Sequence, residues 1–316
     1  MTAPLRHMAL DALAPDRAVS LDRSRCARHR CGANACSACI DACPEEALSW
    51  GEGGLALESG ACTGCLACFA VCPTAALAAP GPSLLQVLAA LAEHEMPVLG
   101  CSGRPGSEAH ARLPCLGALA HSEAMVLCAL VFKDGLHIDM TACNTCPNGH
   151  IAAKVEAAFD LMRELVPSPA IKLIRDPEAL GFQPPALSRR QLFSMFRQRA
   201  GRAAADMVVR LRGDDAPQSY GAKMLPATRA LLIRALRDCT QELRRKIAGR
   251  LFGDITFTDR CTGLERCVGV CPTGAIQPGE TDDGPPVFHR SLCVSCRSCL
   301  AFCPDQGLCL SAPAAA

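Results

Sequence analysis

The chain has 316 residues, enough for two to four domains, with 32 Lys+Arg against 31 Asp+Glu and 23 cysteines. So many cysteines in so long a chain exclude a short disulfide-stapled scaffold, and residues 1–20 lack a leader's apolar stretch, so a cytoplasmic, reducing setting is expected. No window approaches about 18 uninterrupted apolar residues, which excludes an integral membrane segment, and one Trp and one Tyr offer nucleic acid little to stack on.

Residues 1–25 are polar and alanine-rich and are expected to form a loosely ordered tail. A first module is expected over 26–80. Its second half spells C-x2-C-x2-C-x3-C-P at Cys62, Cys65, Cys68, Cys72 and Pro73, the ligand run of an iron–sulfur protein. Three thiolates at this spacing lie on one tight loop, whereas structural zinc usually takes paired C-x2–4-C elements. In the first half Cys36, Cys39, Cys43 and Pro44 hold the register, but Ala33 stands in the first ligand position. Cys31, two residues earlier, is the expected substitute through a longer loop, and Cys26 is the other candidate.

The composition changes over 81–183. Helical periodicity at 84–95, 122–133 and 151–165 alternates with apolar strands at 97–101, 135–140 and 170–174, the pattern of a small parallel α/β layer. Cys101, Cys143 and Cys146 would then fall just beyond strand C-termini, with Cys115 in the loop after the first of these strands. Together they make a candidate tetrathiolate site for [2Fe–2S], [4Fe–4S] or zinc. Cys143 and Cys146 could alternatively form a redox dithiol. His110, His121, His137 and His150 could substitute as ligands, but each alone reads as a surface or packing histidine. Cys128, Cys239 and Cys309 read as buried small side chains.

Residues 184–252 form the basic segment. Between 188 and 252 there are 15 Lys+Arg against 5 Asp+Glu, so the remainder holds 17 basic against 26 acidic residues. SRRQLF at 188–193 imitates a twin-arginine export signal but is internal and has no apolar region after it. Helices are expected at about 188–212 and 226–251. Their charges would solvate one face, hold two acidic modules together or dock an acidic partner. No recognition motif argues for nucleic acid.

Over 253–316 the ligand run returns as Cys293, Cys296, Cys299, Cys303 and Pro304. The stretch before it aligns as Cys261, Leu264, Cys267 and Cys271, with leucine in the second ligand position. PEEAL, PTAAL, PTGAI and PDQGL follow the four runs, an internal repeat of ligand loop, short helix and apolar strand.

On these residues, roughly 31–79 and 255–312 resemble bacterial two-cluster ferredoxins. The resemblance implies crossed ligation within each module. Cys31, Cys36, Cys39 and Cys72 would hold a first cluster, and Cys62, Cys65, Cys68 and Cys43 a second. Cys293, Cys296, Cys299 and Cys271 would hold a third, giving at least three [4Fe–4S] clusters. Cys261, Cys267 and Cys303 would make an incomplete fourth site, open to a [3Fe–4S] cluster, to a [4Fe–4S] cluster with a foreign ligand such as Cys239, or to none. CSGR at 101–104 and the paired loop at 143–146 resemble the delta subunit of methyl-viologen-reducing hydrogenase, and the long-gap spacing resembles thioredoxin-like [2Fe–2S] ferredoxins.

The expected fold is therefore α+β, with two ferredoxin-like dicluster modules flanking a small parallel α/β domain and a basic helical segment. The expected function is single-electron relay to or from a partner oxidoreductase, as a carrier rather than an enzyme. The alternatives are a ferredoxin-fed thiol or small-substrate reductase and an iron–sulfur redox sensor.

Overall fold

The computed structural model describes residues 18–103, 108–182, 222–263, 266–280 and 284–311. The first module runs β1 (Ser20–Leu21), α1 (Ala27–Arg30), α2 (Ala38–Asp41), β2 (Leu48–Gly51), β3 (Gly54–Leu57), α3 (Ala67–Val71) and β4 (Leu77–Ala78). β1 pairs antiparallel with β4, and β2 with β3. The expected loose tail therefore ends earlier than residue 25. Its last residues form a strand of the module because Val19 is buried beside it and Leu21 packs on the core.

The middle of the chain builds one sheet. Helix α4 (Leu84–Leu91) starts at a reciprocal cap in which the Ser83 hydroxyl accepts from the Gln86 N–H and the Gln86 side chain accepts from the Ser83 N–H. Then come β5 (Val98–Cys101), β6 (Ala111–Leu113), α5 (Ser122–Val131), β7 (Leu136–Asp139), α6 (Ile151–Leu165) and β8 (Ile171–Ile174). All pairings are parallel, in the order β6-β5-β7-β8. The edge strand β6 is absent from the sequence expectation, being three residues long and stopped by Pro114. In α5, every side chain from Glu123 to Leu130 is buried, so the helix is covered on more than its sheet side.

The cover comes from the basic segment, where α7 (Ala227–Leu236) packs against α5 and α8 (Gln241–Leu251) reaches α6. The helix expected over 226–251 is broken into these two, and Thr240 caps the second by accepting from the Leu243 N–H. The helix expected at 188–212 lies outside the described residues. Arg234, Arg237, Arg244, Arg245 and Lys246 are exposed, whereas Arg229 is buried.

The last module comprises β9 (Asp254–Phe257), α9 (Arg266–Val270), β10 (Ile276–Gln277), β11 (Val287–Phe288), α10 (Ser298–Phe302) and β12 (Leu308–Ser311). β9 pairs with β12 and β10 with β11, both antiparallel, repeating the first module's arrangement. The repeat extends to single hydrogen bonds. The residue leaving each first strand donates its N–H across the sheet: Asp22 to Ala76, Glu58 to Ala47, Thr258 to Gly307 and His289 to Ala275. The second residue after each ligand proline turns left-handed, at Glu46, Ala75, Gly274 and Gln306. No helix among the described residues is long and apolar enough to cross a membrane.

Candidate metal centres

In three of the four repeats the first ligand cysteine donates its N–H to the carbonyl three residues earlier: Cys62 to Ser59, Cys261 to Thr258 and Cys293 to Arg290. In the remaining repeat that residue is Cys26, bonded to Arg23, and not Cys31. Cys26, Cys36, Cys39 and Cys72 surround one small cavity with Trp50 and Leu55. Cys31 does not line it. Its N–H closes α1 on the Ala27 carbonyl at 3.0 Å, and its side chain is 3% exposed. The structure thus brings Cys26, and not Cys31, beside Cys36, Cys39 and Cys72. The residues inserted after Cys26 begin with α1, whose Arg28 stacks over Trp50 at 4.0 Å.

Cys43, Cys62, Cys65 and Cys68 line a second cavity, and Cys271, Cys293, Cys296 and Cys299 a third. Cys261, Cys267 and Cys303 line a fourth, and Leu264 lies outside the described residues. Cys239 does not line that fourth cavity. Its thiol donates to the Ala235 carbonyl at 3.5 Å, and it packs on the core of the middle domain. Cys128 is fully buried as expected, but Cys309 is exposed on β12. Alternation along this two-stranded ribbon turns Leu308 inward and Cys309 outward.

The ligand loops need unusual backbone. Gly64 and Leu66, between their cysteines, have φ of 67° and 63°, and Ser295 and Arg297 repeat this at 54° and 63°. Non-glycine residues resist that region by roughly 1–3 kcal/mol each, so the surrounding packing must enforce it. The result turns three thiols inward on one short loop.

Burial raises these thiols, and neighbouring thiols raise them further. Cys39 is pushed up to about 12 by burial, then by Cys72, Cys36 and Cys26. Cys68 is pushed up to about 12 by burial, then by Cys65, Cys39, Cys43 and Cys62. Cys299 is likewise raised to about 12 by burial, then by Cys296, Cys293 and Cys271, and Cys267 to about 11 by burial, with Cys261 and Cys303 adding. Protons therefore leave these groups together only if positive charge replaces them, which an iron–sulfur core provides. Backbone donors already point at the sulfurs: Ala76 N–H at Cys72 Sγ, 3.2 Å, and Gly307 N–H at Cys303 Sγ, 3.3 Å. Soft thiols with N–H donors fit iron–sulfur clusters.

Cys101, Cys115, Cys143 and Cys146 come together at the C-terminal ends of β5, β6 and β7. Cys115 is pushed up to about 12 by burial, then by Cys101, Cys65 and Cys146. Cys143 is pushed up to about 11 by burial, then by Cys101 and Cys146, partly offset by Arg175. Asp139 forms the turn leading to Cys143 by accepting from the Thr141 N–H and hydroxyl at 3.0 and 2.7 Å. His110 and His137 have packing roles instead. His110 accepts from the Val98 N–H at 2.9 Å, and the His137 ring meets the Leu180 carbonyl at 3.0 Å. His150 ends the turn before α6. Among the described residues no three His, Cys, Asp or Glu side chains converge tightly enough for a single metal ion.

Contacts outside the thiols order the sites along the molecule. Asn148 donates to the Thr63 carbonyl at 3.1 Å, tying the middle loop to the second site. Gly117 presses on the Cys65 carbonyl so closely that a Cβ there would penetrate it. Gly117→Ala is therefore expected to cost about 1–3 kcal/mol. Thermal unfolding should show it, with any signal from the middle site lost before those of the end modules.

The second and first sites adjoin, since Cys39 and Cys68 lie within electrostatic reach. The first and third are joined by Asn34, 3% exposed. It accepts from the Cys36 N–H at 2.8 Å and donates to the Cys296 carbonyl at 2.8 Å and Ser298 Oγ at 2.9 Å. Nothing in the sequence singled out Asn34. Nor did it single out Arg229, which donates to Glu123 on α5 and to the Ser291 and Cys293 carbonyls.

A 4Fe-4S dicluster domain matches residues 30–76, and a second 4Fe-4S dicluster domain matches 254–304. The polyferredoxin protein MvhB of Methanothermobacter marburgensis is 36% identical over 61 residues, 17% of this chain and 15% of that protein. The ferredoxin-like proteins in the nif region of Trichormus variabilis and Trichormus azollae are each 35% identical over 65 residues, 18% of this chain and 54% of theirs. The chain thus spans only part of the curated relatives it matches. No solved structure matches it. The chain is polyferredoxin-like, with a 4Fe–4S dicluster domain at each end.

Proposed function

We propose that the chain is a multi-site electron carrier that relays single electrons to or from a partner oxidoreductase. When bound, [4Fe–4S] clusters would supply one-electron couples whose potentials depend on charge, hydrogen bonds and solvent. Cys26, Cys36, Cys39 and Cys72 would hold one; Cys43, Cys62, Cys65 and Cys68 a second; Cys271, Cys293, Cys296 and Cys299 a third. The three thiols of the fourth site suit a [3Fe–4S] cluster, and the middle tetrathiolate suits a further iron–sulfur cluster.

The observation that carries the reading is the Asn34 bridge. It joins the backbone of two ligand segments from opposite ends of the chain, which supports one continuous series of sites over two separate pairs. The series runs from the middle site through the second, first and third to the fourth. The Cys143 thiol, raised by burial and by Cys101 and Cys146, favours a ligand over the thiolate of a thiol reductase.

Lys223 adds charge to the third site. Its Nζ donates to the carbonyls of Val268, Gly269 and Cys271, 2.8 Å each. A cation there stabilises the more reduced, more negative state.

The test is an anaerobic redox titration of the full chain and of Asn34→Ala. The parent should take up and release one electron per cluster reversibly. Asn34→Ala should keep its iron, lose about 1–3 kcal/mol of stability for the groups left unpaired, and exchange electrons more slowly between modules. A chain that cannot be reversibly reduced would sink the reading.

A further inference from the structure

A cavity of about 370 Å³ lies apart from the four cysteine-lined cavities and touches them at Cys72. It lies where all the parts of the chain meet, walled by Phe69 to Cys72 of the first module, Ala118 to Ala124 of the middle domain, α7 and α8, and the Val294–Ser295 turn of the last module. Its size falls within the range of small-molecule sites, which pair apolar walls with a few polar groups.

His121 lines it, but its Nδ1 is sealed from solvent and so turns away from the open space. Arg250, in the last turn of α8, also lines the cavity and has no ion-pair partner among the described residues. The other charges lining the cavity are Arg229 and Glu123, which neutralise each other. Arg250 is therefore the one charged side chain of the lining without an ion-pair partner among the described residues.

We propose that this cavity binds a small organic monoanion, a carboxylate or sulfonate on an apolar body. Arg250 would take the anionic group through charge-assisted hydrogen bonds, and Phe69, Leu84, Leu161 and Leu251 would cover the body. An occupant would lie against Cys72 on one side and the Val294–Ser295 turn on the other, between the first and third sites. Binding itself does not depend on the relay reading.

Equilibrium dialysis of the oxidised, cluster-loaded chain against 2-naphthalenesulfonate tests this. The expected result is saturable binding with one ligand per chain. Arg250→Gln should weaken Kd about tenfold or more, as loss of a charge-assisted hydrogen bond does. Ala120→Phe, which fills the cavity without changing its charge, should abolish binding. Both variants should keep the parent's iron content and visible spectrum, showing that the fold persists. No saturable binding by the parent, or equal binding by parent and both variants, would overturn the proposal. Because dialysis needs no electron transfer, a failed relay and an empty cavity give separate results.

Discussion

Cys26→Ser should release about four irons per chain when the site binds a cubane, and Cys31→Ser should release none. The two cysteines are five residues apart, but only Cys26 occupies the place that Cys62, Cys261 and Cys293 occupy in the other repeats. Its thiol is raised by burial, offset by the His29 and Arg28 N–H groups, and raised again by Cys72 and Cys36. Serine at Cys26 removes one of four ligands and leaves Cys36, Cys39 and Cys72 without the charge balance a cluster gives them. Serine at Cys31 changes a buried side chain at the end of α1, with a modest stability cost and no loss of iron. Iron quantitation on the two variants side by side decides the assignment.

Arg229→Ala should destabilise the protein by about 3–5 kcal/mol, the usual consequence of removing one partner from a buried ion pair. Arg229 is 2% exposed, and Glu123 is 8% exposed opposite it. The guanidinium also lies over the Phe252 ring at 4.1 Å and bonds to the Ser291 and Cys293 carbonyls. One side chain thus holds the middle domain and the ligand loop of the third site together. Its removal leaves Glu123 charged among apolar neighbours or forces it to take up a proton. Glu123→Leu combined with Arg229→Met should recover much of the loss, because apolar pairs of similar volume often replace buried ion pairs without penalty. Anaerobic urea titration of parent, single and double variants measures both effects. A single variant as stable as the parent would mean that the pair does not hold the two parts together.

The cysteine runs, the internal repeat and the helix at Ile151–Leu165 were legible because ligand spacing and apolar periodicity are local patterns. The four middle cysteines were legible as a group because parallel strands bring their C-terminal loops to one edge. What was not legible depends on distant partners. Ala33 in the expected register pointed to the nearest cysteine, because a sequence does not show that α1 takes up the insertion and leaves Cys26 in place. The strand at Ser20–Leu21 is defined by its pairing with β4, more than fifty residues later. Nor does a basic segment reveal that Arg229 is buried while Arg234 and Arg237 face solvent. Asn34 bonds to residues more than 260 positions away, a relation no local pattern encodes.

Anaerobic determination of iron and acid-labile sulfide on the full chain, with EPR of its oxidised and reduced states, tests the central claim most directly. The account predicts about twelve or more irons per chain, from three cubanes and the additional sites, with interacting signals from adjacent reduced clusters. Fewer than about ten irons, or zinc in place of iron, would contradict three intact cubanes and with them the relay.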